Sequence, residues 1–462
     1  MSLAIVLGAL IFLIFVAYRG YSVIMFAPIA ALGAVLFTDP SQVLPMFTGV
    51  FMDKMVQFVK LYFPVFMLGA IFGKLVEMSG FSKSIAFHVT RAVGRQRAML
   101  AIVLVCAILT YGGVSLFVVV FAVYPLAAEM FKQSNIPKRL IPATIALGAF
   151  TFTMDSFPGS PQIMNIIPTT FFKTTTWAGP WLGIIGGVYI FIAGQAYLEW
   201  QRRKAAAEGE GYGAKLVNEP EPFDEAALPP LWKALIPLIL VGVLNKVFTD
   251  LIFSFYGKSV TLTLMSSHPT TIQVSSMAAI WAVWGALLVA ILSVVLLAFK
   301  PVTAKFADGT KVAIGGSLLA TMNSASEYGF GSIIAALPGF VLVSDALKSL
   351  PNPLLNESIT VVTLSALTGS AAGGLSIALA AMSDTFIAAA NAANIPLEVM
   401  HRVASMASGG MDTLPHNGAV ITLLAVTGLT HRESYPQIFA ITLIKTVAVF
   451  LVIGVYYLTG IY

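Results

Sequence analysis

Two short stretches hold the residues best suited to chemistry: Met154–Ile163 (MDSFPGSPQI) and Met411–Val420 (MDTLPHNGAV). Each sets an Asp, a hydroxyl, a Pro and small residues inside an otherwise apolar run of helical length. Proline has no N–H to donate and its ring collides with the preceding turn, so the helix must break at both places. A break at bilayer depth bares backbone donors and acceptors, which is tolerable only where they line a polar cavity. Interrupted apolar segments at matching places in two halves of a chain point to a secondary transporter's binding site. A half-helix starting after such a break presents unpaired N–H groups and the positive end of its dipole, which suits a carboxylate. The predicted cargo is a small organic anion.

Four such helix starts are expected to converge: after Gly113, after Gly374, and after the breaks at Pro158 and Pro415. The first half would supply Thr110, Tyr111, Gly112, Gly113, Ser115, Ser156 and Ser160 to a substrate. The second would supply Ser370, Gly373, Gly374, Ser376, Thr413, His416 and Asn417, with Thr368 beside them. The competing reading is that Ser, Thr and Gly merely pack membrane helices and bond to nearby backbone. Ionisable groups at depth are costly and point to function. Asp155 and Asp412 occupy matching positions, and either cap the half-helix that follows or serve coupling. Glu327, Asp384 and His416 face apolar residues or Gly at the corresponding first-half positions, near Val65, Val123 and Gly159. Asymmetric charge in a symmetric frame suggests a coupling site, through a desolvated acid or a His that titrates near neutrality. The plainer alternative puts Glu327 and Asp384 at span ends, in water. Arg402 and Lys445 are expected to pair with acidic neighbours or to reach for the surface.

The elements that must position these residues are helices in a bilayer. Hydrophobic residues make up 58% of the 462 and charged ones 10%, against about a quarter charged in soluble proteins. Apolar runs recur throughout and leave no room for a large soluble domain. Cys106, the single cysteine, lies inside an apolar run, which excludes disulfides and cysteine-based metal sites. The net charge of +5 reads as membrane topology rather than nucleic-acid affinity. Gly69–Lys74 (GAIFGK) is one residue short of a phosphate-binding loop and is followed by Leu75, so neither ATP drive nor any cofactor is expected. The first apolar run, Leu3–Tyr18, lacks a basic flank and a cleavage site and is kept as a membrane helix.

The first unit, residues 1–200, offers spans near Leu3–Tyr18, Ser22–Phe37 and Leu61–Met78, then an amphipathic connector carrying Lys83, Arg91, Arg95 and Arg97. The run at about 98–131, split by LTYGGVS, reads as a re-entrant hairpin, with one long crossing helix as the alternative. A broken helix at about 139–173 and a span at Trp177–Trp200 follow. Residues 201–230, rich in charge, Gly and Pro, read as a solvated cytoplasmic linker. The second unit, 231–462, repeats the plan. It has spans at Leu231–Phe253 and Met277–Phe299, a polar-dotted Gly315–Asn323, and a span near Tyr328–Asp345. A hairpin at about 359–390, a broken helix at about 398–428 and a final helix Ile438–Tyr457 complete it.

Three matches recur in order: Gly-Gly-x-Ser, Asn-Ile-Pro and Met-Asp-x-x-Pro, at offsets of 261, 259 and 257 residues (Ser115 to Ser376, Asn135 to Asn394, Met154 to Met411). Such an ordered series implies duplication. With the N-terminus outside, the inside loops collect most of the basic residues, among them Arg91, Lys132, Arg202 and Lys300. Lys54, Lys60, Lys173, Lys246, Lys258 and Lys348 fall outside. Five crossings per half invert the second repeat and leave both termini external. The expected fold is an all-α polytopic membrane protein with two inverted-topology repeats.

The duplicated plan, the Gly-rich hairpin followed by Asn-Ile-Pro, and the stretch Asp-Thr-Leu-Pro-His-Asn-Gly resemble the gluconate permease (GntP) family, within the ion transporter superfamily, over essentially the whole chain. The resemblance implies a scaffold and a moving transport domain, commonly in a homodimer of the inner membrane. It implies symport of gluconate or other small hydroxy or amino acids, usually with protons. Members associated with 3-hydroxybutyrate look most similar. The Ser-Asn-Thr hairpin tips of sodium-coupled dicarboxylate relatives are replaced here by Gly-Gly-Val-Ser and Gly-Gly-Leu-Ser, so protons are expected rather than sodium. An intramembrane aspartyl hydrolase built on Asp155 and Asp412 is the alternative from another class. Gly409-Gly410-Met411-Asp412 misses the Gly-x-Gly-Asp such an enzyme would show. A channel would not need buried asymmetric titratable groups.

Overall fold

The computed structural model describes residues 2–19, 21–94, 97–213, 217–220, 228–262, 270–340, 342, 352–415 and 417–462. Apart from a two-stranded antiparallel ribbon, Ser259–Thr261 with Thr271–Gln273, the described secondary structure is helical. Seven described helical stretches are long and apolar enough to cross a bilayer, and several shorter apolar helices accompany them. The chain is an all-α multi-pass membrane protein. Its outward faces follow from its solvent. On α12 (Leu231–Tyr256) Ile239, Val243, Val247 and Leu251 are exposed at helical spacing, as are Leu288, Leu292 and Leu296 on α13 (Ala278–Leu297). In lipid such apolar stripes carry no penalty.

Before these come α1 (Ser2–Tyr18), α2 (Val23–Thr38) and the short α3 (Val43–Met46), which leads through a π-turn, Phe47–Met52, into α4 (Asp53–Met78). The connector forms α5 (Phe81–Val93), which buries Phe81, Ile85 and Ala86 and exposes Lys83 and Arg91. After α13 come the short α14 (Phe299–Thr303) and α15 (Phe306–Ala336). Here the structure corrects the sequence reading: the polar dots at 315–323 do not end a segment, and one 31-residue helix runs through them. The residues expected to extend the span towards Asp345 lie largely outside the described ones. Packing explains the continuity. Gly309 closes on Met78, Gly329 on Phe51, and Tyr328 packs on Phe58 with ring centroids 5.7 Å apart, so α4 and α15 run antiparallel along their length.

Both Gly-rich interruptions separate paired helices. The first pair is α6 (Ala98–Tyr111) and α7 (Leu116–Gln133), joined through Gly113 at φ 93°. At 14 residues, α6 reaches only about 21 Å, short of the ~30 Å hydrocarbon core. The second pair is α16 (Pro353–Thr368) and α17 (Ala371–Ala392). Its turn is Gly369-Ser370, with Gly369 at φ 62°, and not the Gly-Gly that the sequence suggested. Gly373 and Gly374 lie in the first turn of α17. A Cβ at Gly374 would meet the Ser365 backbone at 2.2 Å, so the pair permits close approach of helices.

The first broken segment is α8 (Ile141–Ala149), a single turn α9 (Phe152–Asp155), irregular chain at 156–162, and α10 (Ile163–Phe172). The second is α18 (Leu397–Ser408), irregular chain at 409–417, and α19 (Gly418–Thr427). Two long helices flank them, α11 (Pro180–Ala207), which extends past the predicted span end, and α20 (His431–Thr459). The linker is not merely solvated. Tyr212 is buried, Lys138 donates to the Val217 carbonyl (2.6 Å) and to Glu219 (2.8 Å), and Glu210 receives Arg139 through both oxygens. Asn218 donates to the Ala425 carbonyl. These residues form a strap between the Asn-Ile-Pro loop and the end of α19, its cation and anion drawn together by partial burial.

Candidate functional site

The two broken helices cross, and their aspartates meet at the crossing. Asp155 ends α9 and is 2% exposed; its Oδ2 lies over Gly409, where an added Cβ would stand only 1.8 Å away. Asp412, in the second break, pairs directly with Lys445 from α20, itself 2% exposed. Lys445 also donates to the Phe150 carbonyl (3.2 Å), which the break after α8 leaves without a helical partner. Asp155 lies within electrostatic reach of both Lys445 and Asp412.

Arg402 on α18 is fully buried and clasps the crossing from the other side. Its guanidinium donates to the Ala178 carbonyl (2.7 and 2.9 Å) and to the Asp155 carbonyl (3.3 Å), and Ser405 adds a bond to that same oxygen (2.7 Å). Gly183 of α11 makes room, since a Cβ there would lie 2.2 Å from the Ser156 carbonyl oxygen. Two carboxylates and two cations thus balance formally in one desolvated cluster. Lys445 does pair with an acid, whereas Arg402 spends its donors on backbone carbonyls. Buried charge persists only with such partners.

Each break is tied to its hairpin tip by the same device. Gln162, the residue before α10, donates through Nε2 to the Thr110 carbonyl at the end of α6 (2.8 Å). Asn417, the residue before α19, donates through Nδ2 to the Gly369 carbonyl at the end of α16 (2.8 Å), and its Oδ1 caps the amides of Ala419 and Val420. Carbonyls at a helix C-terminus need donors, and the amide side chains at the breaks supply them. Tyr111 adds a bond to the Pro158 carbonyl (2.8 Å). Asn245 on α12 holds the first break from outside, donating to the carbonyl of Gly159 (3.0 Å) and to Thr176.

Most hydroxyls expected to donate to a substrate are already committed. Ser156 donates to Asp155 (2.7 Å), Ser160 to the Thr153 carbonyl (2.7 Å), Ser376 to the Ala372 carbonyl (2.6 Å) and Thr368 to the Leu364 carbonyl (2.9 Å). Ser370 accepts from the Gly373 amide (3.0 Å), and Thr413 pairs with Thr442 (2.5 Å). The reason is general: a hydroxyl in apolar surroundings finds the nearest carbonyl. Thr110 Oγ1 is buried with no partner among the described residues, and the half-buried Ser115 makes no cap bond. Leu238 of α12 covers the tip at Gly112, while Gly113 lies against Pro161 and Val241.

The remaining predicted titratable groups divide. Glu327 is 3% exposed and deep in α15, so the plainer alternative of a wet span end does not hold for it. Asp384 is exposed on α17, because Met382 and Phe386 take the inward face; it stands apart from the aspartate cluster. His416 lies outside the described residues. Two buried groups escaped the sequence reading. His401 bridges Thr174 (2.6 Å) and Asn165 (3.2 Å), and Glu357 on α16 has both carboxylate oxygens buried without a partner among the described residues. Glu357 sits in a run too polar (PLLNESIT) to register as membrane-embedded. A recess of about 790 Å³ opens elsewhere, between Gly80, Pro125, Pro229, Lys233 and Pro301, and no predicted site residue lines it.

A family model described as GntP family permease matches residues 63–284. The chain is 58% identical over 470 residues to the uncharacterized transporter YxjC of Bacillus subtilis (strain 168), with all of both chains covered. Among solved structures it is similar in fold to the YdaH transporter of Alcanivorax borkumensis, whose crystal structure is described as revealing an unusual topology. The TM-score is 0.50 at 15% identity, over 91% of this chain and 90% of that one. A full-length relative that is a transporter and a permease model over the first broken helix agree with buried, internally balanced charge at helix breaks and leave no place for the hydrolase reading. The chain belongs to the GntP family of permeases, and it is a membrane transporter rather than an enzyme.

Proposed function

We propose that the protein is a secondary active transporter that carries a small hydroxy monocarboxylate, such as 3-hydroxybutyrate or gluconate, in symport with protons. The observation that carries this reading is the buried Asp412–Lys445 pair, with the Asp155 carboxylate beside it at the crossing of both broken helices. A proton arriving on the Asp412 carboxylate removes the charge that holds Lys445. The freed ammonium then donates to the carboxylate of the substrate, so anion and proton bind together and neither binds well alone. Backbone amides at the starts of α7, α10 and α17, with Thr110 and Ser115, complete the anion's surroundings, while the first amides of α19 are already capped by Asn417. Asp155 holds Lys445 in place while Asp412 is neutral.

The antiparallel packing of α4 and α15, and the matched ties of hairpin to break, support two inverted repeats with re-entrant hairpins in a moving unit. The bias of basic residues supports an inner-membrane protein with external termini and a cytoplasmic strap. A homodimer follows from the family pattern.

Uptake of labelled 3-hydroxybutyrate, gluconate and lactate into proteoliposomes, with pH and sodium gradients imposed separately, tests the reading. Accumulation driven by inward protons alone is the expected result. Accumulation driven by sodium alone would replace the proton by a cation at the breaks and end the Asp412–Lys445 mechanism.

A further inference from the structure

Glu327 is a buried carboxylate that the aspartate centre does not use. It projects from α15 onto the first turn of α17, just past the tip of the second hairpin. A Cβ at Gly373 would lie 2.0 Å from Glu327 Oε2 and 2.7 Å from Oε1, so the carboxyl group lies flat over the Gly373 α-carbon. Oε2 is buried and has no hydrogen-bond partner among the described residues. The charged groups on the helices packed around it do not reach it. On α4, Lys74 and Glu77 pair with each other at 2.8 Å near Gly309, and Asp53, Lys54 and Lys60 are exposed. On α17, Asp384 is exposed and 11 residues further on, about 16 Å along the helix; α2 carries no charge. On α16, Glu357 makes no hydrogen bond or ion pair with it among the described residues. The Tyr328 ring packs on Phe58 and Phe171, and Tyr62 bonds the Ile167 carbonyl and Thr170.

The corresponding contact in the first half has no acid. There Gly112, the counterpart of Gly373, lies against the Leu238 side chain of α12, and where α4 meets the tip the Gly73 Cβ position is 3.4 Å from the Ser115 amide nitrogen. Of these two contacts, the one at the second hairpin is made through an ionisable group and the one at the first through apolar and backbone atoms. A carboxylate whose Oε2 is buried against C–H bonds, with neither cation nor donor among the described residues, is too costly to stay charged. The neutral acid fits the observed contact. Full ionisation requires Oε2 to reach water, and the contact with Gly373 covers that oxygen while α17 is seated on α15.

We infer that Glu327 is a proton-operated latch: protonated, it lets the tip of the second hairpin seat on α15, and deprotonated, it releases that tip. The latch rests on the reading of the chain as a transporter with a moving hairpin, yet it needs neither the proposed substrate nor the Asp412–Lys445 mechanism. It gives the transport cycle a second proton, bound at a gate rather than beside the anion.

The test uses Ala372→Cys in the full-length protein, reconstituted without substrate. Ala372 is 7% exposed beside Gly373, and the native Cys106 is fully buried and serves as the background control. Labelling by a water-soluble maleimide, corrected for thiolate content with a model thiol, is followed from acid to alkaline pH. The corrected rate is expected to rise with pH by up to about tenfold per unit, the limit for release of one proton. In Ala372→Cys with Glu327→Gln, whose side chain is close to isosteric with the neutral acid, it stays low and flat. A rise that persists in the Gln variant, or a flat profile with Glu327 intact, overturns the latch. Proton-driven uptake measured on the same vesicles is scored separately, so failure of the transport reading and failure of the latch give different results.

Discussion

Lys445→Met probes the centre most directly, because the amine answers two carboxylates while each carboxylate has few other partners. Removing it leaves Asp412 without its ion pair and Asp155 without one of the two cations that act on it, with Arg402 occupied by backbone carbonyls. Breaking a buried pair from one side typically costs about 3–5 kcal/mol, and the upper part of that range applies, since two like charges remain. Asp412→Asn leaves Lys445 with the Phe150 carbonyl and Asp155. Its cost should fall to the ~1–3 kcal/mol of an imperfectly satisfied polar group. Joining both substitutions removes one charge of each sign and recovers most of the loss, because an apolar replacement of a buried pair is close to neutral. The assay is retention of monodisperse protein after heating in detergent, alongside uptake in proteoliposomes. The expected order of stability is wild type and double variant together, then Asp412→Asn, then Lys445→Met. All three variants should lose proton-driven accumulation. A Lys445→Met protein as stable as wild type, or a double variant weaker than both singles, would falsify the mutual compensation on which the coupling argument rests.

Gly409→Ala places a methyl 1.8 Å from Asp155 Oδ2 and must displace that carboxylate, so a folded variant is expected to lose proton-driven uptake; retained uptake removes Asp155 from the centre. Asn417→Ala takes away the cap of α19 and the tie to the second hairpin tip, a loss of about 1 kcal/mol for the cap alone, readable as a lower melting midpoint that Asn417→Asp partly restores. Lys138→Ala leaves Glu219 unpaired beside Tyr212 and frees the strap, so limited proteolysis should cut between Gly209 and Pro220 faster than in wild type. Equal cutting rates would mean that the strap holds without its ion pair.

Local chemistry was legible in the sequence and long-range pairing was not. Pro158, Pro161 and Pro415 fall in the breaks because small and polar residues cluster with them, whereas Pro64 and Pro237 sit inside α4 and α12; a Gly at positive φ can turn a chain without reference to distant partners, so the helix pairs and breaks lie close to where residue types cluster. The membrane class followed from composition alone. Where a polar side chain ends up is another matter. Ser160 and Ser376 look like ligands in a motif, but each had a carbonyl within reach and turned to it. Gly373 and Gly374 look like a turn, yet the turn is Gly369-Ser370 and the glycines admit Glu327 and Ser365. Asp412 finds Lys445 at 33 positions' remove, and Arg402 finds the Asp155 carbonyl at 247. No periodicity encodes such distances, because they depend on how two broken helices cross. The burial of Glu327 and the docking of the strap have the same origin: desolvation is a property of what packs around a group, and only the assembled helices decide it.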